Sequence, residues 1–243
     1  GSSSRAGAAH GSSLSLSAEA MGDEEGEQRV APGTYTLTTD AGPKKCSIGF
    51  TGTGKAEYPG GDIYEGPFED GIRKGNGTYE YLNGDKFIGT FENNLKTGLG
   101  RVIYKKGGFY HGHFVDGKRE GEGTFQYANG DIYSGMWKGG KRQGKGTYVF
   151  TKTKYAYEGD WEDGQIVKGS WSLSDGTKYI GGFAGQKPDG DGVWSTAAGT
   201  IIEGKYVQQV VPVDSAPPAK DGKAPVTTTR TFWSTLTMVA AEN

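Results

Sequence analysis

The chain has 243 residues, a formal net charge of −2, 44 glycines, 12% aromatic residues and one cysteine. The near-neutral charge gives no general basic character for binding nucleic acid, and no apolar run reaches the roughly 18 residues of a membrane-spanning helix. A lone cysteine, Cys46, cannot form an internal disulfide, and the scarcity of leucine and isoleucine leaves aromatic rings and glycine to build the core.

Residues 1–30 are predicted to be disordered. Serine, alanine and glycine dominate the segment, and acidic residues follow from Asp23 to Glu27. Two interpretations are open. The segment is a cloning remnant, or it is the mature end left after removal of an organelle transit peptide, since such peptides are rich in serine and poor in acidic residues.

Residues 31–51 are predicted to form capping strands. Two strand-like runs, 34–38 and 46–50, stand on either side of Asp40-Ala-Gly-Pro. An open stack of β-hairpins needs a cover at its end, because an uncovered edge strand invites pairing with other chains.

Residues 52–206 contain seven repeats. The first five open with a Gly-x-Gly pair and follow one another at a spacing of 23 residues. The sixth begins at Gly169, where Trp171 replaces the second glycine, and the seventh begins at Gly190. The intervals before them are 25 and 21 residues, which together make two ordinary periods, so the register is recovered.

Each repeat is predicted to be a β-hairpin. In the fourth repeat, residues 121–143, the aromatic residues occupy odd repeat positions and mostly polar residues occupy even ones. This alternation is typical of a strand with one aromatic face and one solvated face. The hairpin turn is placed at Asn129-Gly130, because this dipeptide tolerates the positive φ of a tight turn, and about six residues then lead to the next hairpin.

This pattern resembles the MORN repeat. The sequence Gly-x-Gly-x-x-x-Tyr-x-x-Gly-Asp-x-Tyr-x-Gly-x-Phe-x-x-Gly is matched nearly position by position by residues 121–140, and the resemblance covers 52–206. Repeat five departs from it at residues 151–155, where an insertion replaces the turn, and repeat six loses two residues of its first strand. The resemblance implies an all-β fold: an elongated, twisted, single-layer array of tandem β-hairpins, with extended N- and C-terminal tails.

The aromatic face predicts a core and leaves part of the ring stripe available as a partner-binding groove. A glycine lies between the two rings of each second strand and is interpreted as the seat of a ring. These glycines are Gly66, Gly89, Gly112, Gly135, Gly159, Gly181 and Gly204. The candidate groove residues are Tyr64, Phe68, Phe87, Phe91, Tyr110, Phe114, Tyr133 and Trp137.

Basic residues recur where one repeat passes to the next. They are Arg73, Lys74, Lys96, Lys118, Arg119, Lys141 and Arg142. A repeated sequence position becomes a line in space, so these residues are predicted to form a basic ridge along one edge of the sheet. The ridge would suit an anionic membrane surface or an acidic protein. The alternative is that the lysines keep connecting segments soluble and block edge pairing.

Residues 207–243 are predicted to be an extended C-terminal tail. Residues 213–225 have a linker composition rich in proline, alanine and lysine. An apolar segment then contains Phe232 and Trp233, which are assigned as a tail anchor that docks on a partner or folds back on the sheet.

No catalytic, cofactor-binding or metal-binding set is predicted. His111 and His113 lie on the polar face without a third strong ligand, and Cys46 lacks an activating neighbour. No Gly-Lys-Ser/Thr follows the Gly-x-Gly pairs, which excludes a phosphate loop. The acidic residues after the turns, Asp62, Asp85 and Asp131, are spread one per hairpin and are interpreted as turn stabilisers.

The resemblance therefore implies a scaffold or structural subunit, and no enzyme, that binds and stabilises protein subunits of a larger assembly through its sheet and tails. Cytoskeletal or axonemal cytoplasmic settings are the first expectation. The alternatives are a subunit of a chloroplast or mitochondrial membrane complex, a peripheral adaptor bound to anionic lipid, and a non-catalytic arm of an enzyme. Self-association stays open, and no nucleic acid or cofactor is expected.

Overall fold

A computed structural model describes residues 35–212 and 227–239. The strands are β1 (Thr36–Thr39), β2 (Gly42–Lys44), β3 (Gly52–Glu57), β4 (Ile63–Glu69), β5 (Ile72–Arg73), β6 (Gly75–Glu80), β7 (Lys86–Glu92), β8 (Leu95–Ile103), β9 (Phe109–Val115), β10 (Lys118–Gln126), β11 (Ile132–Lys138), β12 (Lys141–Phe150), β13 (Tyr155–Glu162), β14 (Gln165–Ser172), β15 (Lys178–Ala184), β16 (Lys187–Ser195), β17 (Ile201–Pro212) and β18 (Thr227–Val239). The described residues contain no helix.

All strands belong to one open antiparallel sheet. From β3 to β18 the strands are neighbours in chain order, except that the short β5 and β6 both pair with β4 as two pieces of one strand position. At the start, β1 pairs with both β2 and β3 and so caps the first repeat. The predicted all-β array of tandem hairpins is confirmed.

The second capping strand was predicted in the wrong place. The chain turns back directly after β1, where Gly42 has a φ of 106°, so β2 lies at Gly42–Lys44. Residues 46–50 form a turn in which the Phe50 N–H donates to the Ser47 carbonyl at 2.8 Å. The Phe50 ring packs against Phe68 with centroids 5.9 Å apart, so this segment covers the first repeat without forming a strand.

The tight turns also differ from the prediction. Between repeats, pairs such as Asp116-Gly117 and Asp163-Gly164 take positive φ at both residues, as a two-residue hairpin turn requires. At Asn129-Gly130 only the glycine does so, within a longer loop. The segments expected to lead from hairpin to hairpin are therefore strand, and the sheet continues through them.

The first glycine of each Gly-x-Gly pair bends the sheet. Gly121 has a φ of 70° and Gly144 a φ of 71°, and the pairing register shifts between Arg119 and Gly123 and between Gly135 and Trp137. A glycine with positive φ beside a register shift is a β-bulge, which increases local twist and bends the strand. The same bend recurs at Gly98 and Gly190, where the pairing register also shifts.

The C-terminal segment joins the sheet. β17 continues through residue 212, and β18 pairs with it in antiparallel register from Ile201↔Val239 to Pro212↔Thr227. The predicted extended tail is therefore a further hairpin over these residues. The predicted disorder of residues 1–30 and the predicted linker, residues 213–225, fall on residues that the structure does not describe.

Candidate protein-interaction surfaces

The aromatic rings of the second strands form a closed core. All eight residues predicted to line a partner-binding groove are buried: Tyr64, Phe68, Phe87, Phe91, Tyr110, Phe114, Tyr133 and Trp137. Within a repeat, and again between repeats, their rings meet edge to face. Tyr110 contacts Phe114 at 5.3 Å and Trp137 of the next repeat at 5.2 Å. The groove prediction is wrong for these residues, because each ring is covered by rings of its neighbours.

Glycines allow this packing by leaving room for rings on the backbone. The Tyr110 ring lies over Gly123, where an added Cβ would stand 2.6 Å from two ring carbons. Tyr64, Tyr133 and Tyr179 lie over the matching glycines of their repeats. An added Cβ at the predicted seats Gly66, Gly112 and Gly181 would collide with the hydroxyl group of Tyr64, Tyr110 or Tyr179, so these seats are confirmed. At Gly159 the close neighbour is instead the Lys168 backbone. The second glycine of the Gly-x-Gly pair is also a ring seat, which the sequence did not reveal, at Gly77, Gly100, Gly123, Gly146 and Gly192.

Four of the seven predicted ridge residues point into the aromatic face. Arg73 and Lys96 are only 3% and 2% exposed, and Arg119 and Arg142 are half-buried. The Arg142 guanidinium lies 4.7 Å from the ring centroid of Trp161 and also faces two tyrosine rings. A cation against a ring face gains electrostatic attraction from the ring quadrupole. These residues belong to the core, so the ridge is wrong for them.

Two of the remaining ridge lysines are already paired with carboxylates. Lys74 Nζ lies 2.5 Å from Glu69 and 3.9 Å from Glu92, and Lys141 Nζ lies 3.1 Å from Asp163. Of the seven predicted ridge residues, only Lys74, Lys118 and Lys141 are exposed. Because the exposed lysines alternate with carboxylates, a continuous basic ridge does not form.

The turn aspartates join consecutive repeats. Asp131 is buried, and its two carboxylate oxygens accept hydrogen bonds from the Tyr148 hydroxyl at 3.0 Å and the Thr151 N–H at 2.9 Å, both in the following repeat. Asp62 does the same with Tyr79 and Leu82. The prediction that these aspartates stabilise turns holds. Each of them also supports the turn of the following hairpin.

The buried tyrosines stay neutral at ordinary pH. Burial raises the pKa of Tyr157 and Tyr179 to about 12, and it raises the pKa of Tyr133 further still. The hydroxyl groups of these three tyrosines therefore keep their protons at neutral pH. The described residues contain no cluster of three or more His, Cys, Asp or Glu side chains that could hold a metal ion.

An apolar row crosses the opposite face of the sheet, and sequence reasoning missed it. Register partners run without a break from β8 to β13: Ile103, Phe109, Gln126, Ile132, Val149 and Ala156. Five of these six are apolar. Ile103 is 38% exposed and Ile132 is 37% exposed. We call this set the back-face row. Apolar residues aligned across neighbouring strands, here interrupted by Gln126, mark an interaction site more often than scattered apolar residues do.

His111 and His113 lie on the same back face, beside this row. His111 is paired with Arg101, and His113 is paired with Leu99. The His113 Nδ1 atom lies 3.4 Å from the Glu122 carbonyl oxygen.

The repeats match the sequence model of a known protein family. The MORN repeat model matches residues 64–86, 87–109, 110–132, 133–152 and 157–178 in tandem. This chain is a MORN-repeat protein. The sheet continues beyond the matched repeats with the same hairpin geometry, from β3 at one end to β17 at the other. No curated protein matches the chain.

Some solved structures are similar to this MORN protein at low identity. The TCP10 domain of Danio rerio CPAP has 11% identity and a TM-score of 0.42, with 85% of this chain and 99% of that chain covered. The same domain with a STIL peptide has 10% identity and a TM-score of 0.43, with 87% and 97% covered. The Drosophila melanogaster SAS-4 TCP domain, in complex with a proline-rich motif of Ana2, has 16% identity and a TM-score of 0.39, with 68% and 85% covered.

The two predicted anchor residues lie on opposite faces of the end of the MORN sheet. Trp233 packs on Tyr206 with centroids 4.7 Å apart and covers Gly204, so it closes the aromatic core at this end. Phe232 is 48% exposed on the other face. Of the two alternatives for this segment, the described residues show it folded back on the sheet. No helix among those residues is long and apolar enough for a membrane span.

Proposed function

We propose that this MORN protein is a non-catalytic scaffold subunit that holds partner proteins on the back face of its sheet. The observation that supports this is the back-face row, which keeps isoleucine, phenylalanine and valine side chains at a surface where an antiparallel sheet usually presents polar residues. On the opposite face the rings predicted to line a groove are buried by one another, and a further set of partly buried rings, such as Tyr81, Tyr104 and Tyr127, packs against them.

The geometry favours this site over the two surfaces expected from the sequence. A partner could reach Tyr110 or Tyr133 only by separating rings that pack edge to face. A lipid surface would need the ridge cations, and four of those seven are held against aromatic rings. The membrane-adaptor alternative therefore loses the feature that motivated it. A cytoskeletal or organellar setting remains part of the proposal, and partner identity decides between them.

The test is affinity capture of the tagged full chain from its source cells, with quantitative mass spectrometry. Ile132→Glu places a charge in the row without disturbing the packing of the core, because Ile132 is on the solvent side of the sheet. We expect it to reduce recovery of the stoichiometric partners by about tenfold or more.

Ile48→Glu is the matched control, since Ile48 is 73% exposed in the cap and lies outside the row. It should leave recovery unchanged, and circular dichroism should show both variants folded. Equal partner recovery with the wild type and with folded Ile132→Glu would rule out the back-face row as the binding surface.

A further inference from the structure

The back-face row runs across the strands, and its spacing is set by the repeat. Antiparallel strands lie about 4.8 Å apart, so two strands advance the row by about 9.6 Å per repeat. An α-helix advances about 10.5 Å in seven residues. A helix laid along the row would therefore bring one apolar position per heptad to each hairpin. From Ile103 to Ala156 the row crosses six strands, which a helix of about 16 residues would span.

Charge around the row is one-sided. The turn between β8 and β9 contains Lys105 and Lys106, and the turn between β12 and β13 contains Lys152 and Lys154; all four are exposed, and neither turn holds an acidic residue. In the turn between them, the carboxylate of Asp131 is buried and hydrogen-bonded to the next repeat. The turn side of the row is thus basic at both ends, without an exposed carboxylate from these three turns.

The side of the row away from the turns is weakly charged. The neighbouring line of register partners is Arg101, His111, Thr124, Ser134 and Thr147, before Glu158 ends it. The Arg101 guanidinium lies 4.4 Å from the Phe109 ring centroid, over the row itself. An occupant therefore meets an apolar line, lysines along one flank and mainly hydroxyl groups along the other.

We propose that the back-face row binds an acidic amphipathic helix of a partner protein, laid across the strands with its carboxylates toward the lysine-bearing turns. This inference rests on the proposed function and specifies the kind of segment that the row receives. The apolar stripe of the helix, repeating at each heptad, contacts one row residue per hairpin, Phe109, Ile132 and Ala156, and Ile103 and Val149 lie beside this line. The lysines supply orientation, because complementary charge fixes which way the polar flank faces.

The test uses the full chain and three fluorescent synthetic peptides of about 18 residues, measured by anisotropy. The first has leucine at heptad positions and glutamate along one flank. The second replaces each glutamate by lysine, and the third keeps the glutamates but has a central proline that breaks the helix. We expect the first peptide to bind at least about tenfold more tightly than either of the others. Its affinity should fall as salt is added, because salt screens the attraction between glutamate and lysine.

Variants locate the site. Ile132→Glu, and as a second change Ile103→Glu, should each remove most of the affinity for the acidic peptide. Ile180→Glu should not, since Ile180 is also exposed on the back face, on β15, but lies outside the row. Lys105→Glu with Lys106→Glu should reverse the preference toward the lysine peptide.

Three outcomes would overturn the inference: no binding of the acidic peptide at millimolar concentration, equal affinity for the lysine or proline peptide, or unchanged affinity in the folded row variants. These failures are separable from failure of the proposed function. If Ile132→Glu loses its captured partners while the acidic peptide does not bind, the row remains a docking surface and the helix is the wrong occupant.

Discussion

Replacing Gly123 by alanine should destabilise the protein by about 2–4 kcal/mol. The new Cβ would stand 2.6 Å from the Cε2 and Cζ atoms of Tyr110, closer than side-chain carbons approach one another. Tyr110 cannot move away, because its ring is fully buried between Phe114 and Trp137. The strain therefore falls on the contact between the third and fourth repeats. Urea unfolding followed by tryptophan fluorescence measures the loss.

Gly60→Ala is the matched control for this substitution. An added Cβ at Gly60 meets nothing within 4 Å, and Gly60 has no left-handed φ. Alanine there should leave the free energy of unfolding within about 0.5 kcal/mol of the wild type, or raise it slightly by restricting the unfolded chain. Similar midpoints for Gly123→Ala and Gly60→Ala would show that the ring does not need the glycine seat.

Replacing Arg142 by alanine should cost about 2–4 kcal/mol of stability. The guanidinium faces the rings of Tyr133, Tyr148 and Trp161, and it donates hydrogen bonds to the Gly164 carbonyl and the Tyr127 hydroxyl. Alanine removes those contacts and leaves a gap above the rings. Arg142→Lys should recover part of the loss, because an ammonium keeps the charge but not the planar, two-sided hydrogen bonding. Thermal unfolding by circular dichroism ranks the variants.

The adjacent Lys141 supplies the control. Its ammonium pairs with Asp163 at the surface, where an exposed ion pair contributes little, so Lys141→Ala should change stability by less than about 1 kcal/mol. If both alanine variants were equally stable, and if Arg142→Ala instead weakened sedimentation with vesicles containing anionic lipid, Arg142 would be a surface residue for lipid and the core assignment would fail.

The sequence was sufficient for the hairpin array because its signals are local. Alternating aromatic residues and a glycine at a fixed place in every repeat specify a strand pair, as seen for Tyr133, Gly135 and Trp137 on β11. The turn positions were not sufficient. Asn129-Gly130 carries the stronger turn dipeptide, yet the two-residue turns lie between repeats, at pairs such as Asp116-Gly117. The loop after Tyr127 is longer than two residues, and this length determines that no two-residue turn forms there. Dipeptide propensity does not encode loop length.

The candidate site was harder to predict because it depends on which face a side chain takes. Arg142 and Lys141 are neighbours in sequence and were grouped by charge, although in a strand they point to opposite faces. The sequence does contain a signal for the back-face row. Its positions are mostly charged in the first two repeats, at Glu57, Glu80 and Lys86, and become apolar at Ile103, Phe109 and Ile132. Comparing one position across the repeats would have exposed this change.

Site-specific photo-crosslinking in the source cells distinguishes partner docking on the back face from docking on the ring face. A benzoylphenylalanine placed at Ile132 of the full chain reports on the back-face row, and the same probe at Tyr127, which is half-buried on the ring side, reports on the opposite face. We expect a discrete protein adduct from Ile132 and none from Tyr127. An adduct from Tyr127 with none from Ile132 would contradict this expectation, because partners would then dock on the face that we assign to the closed core.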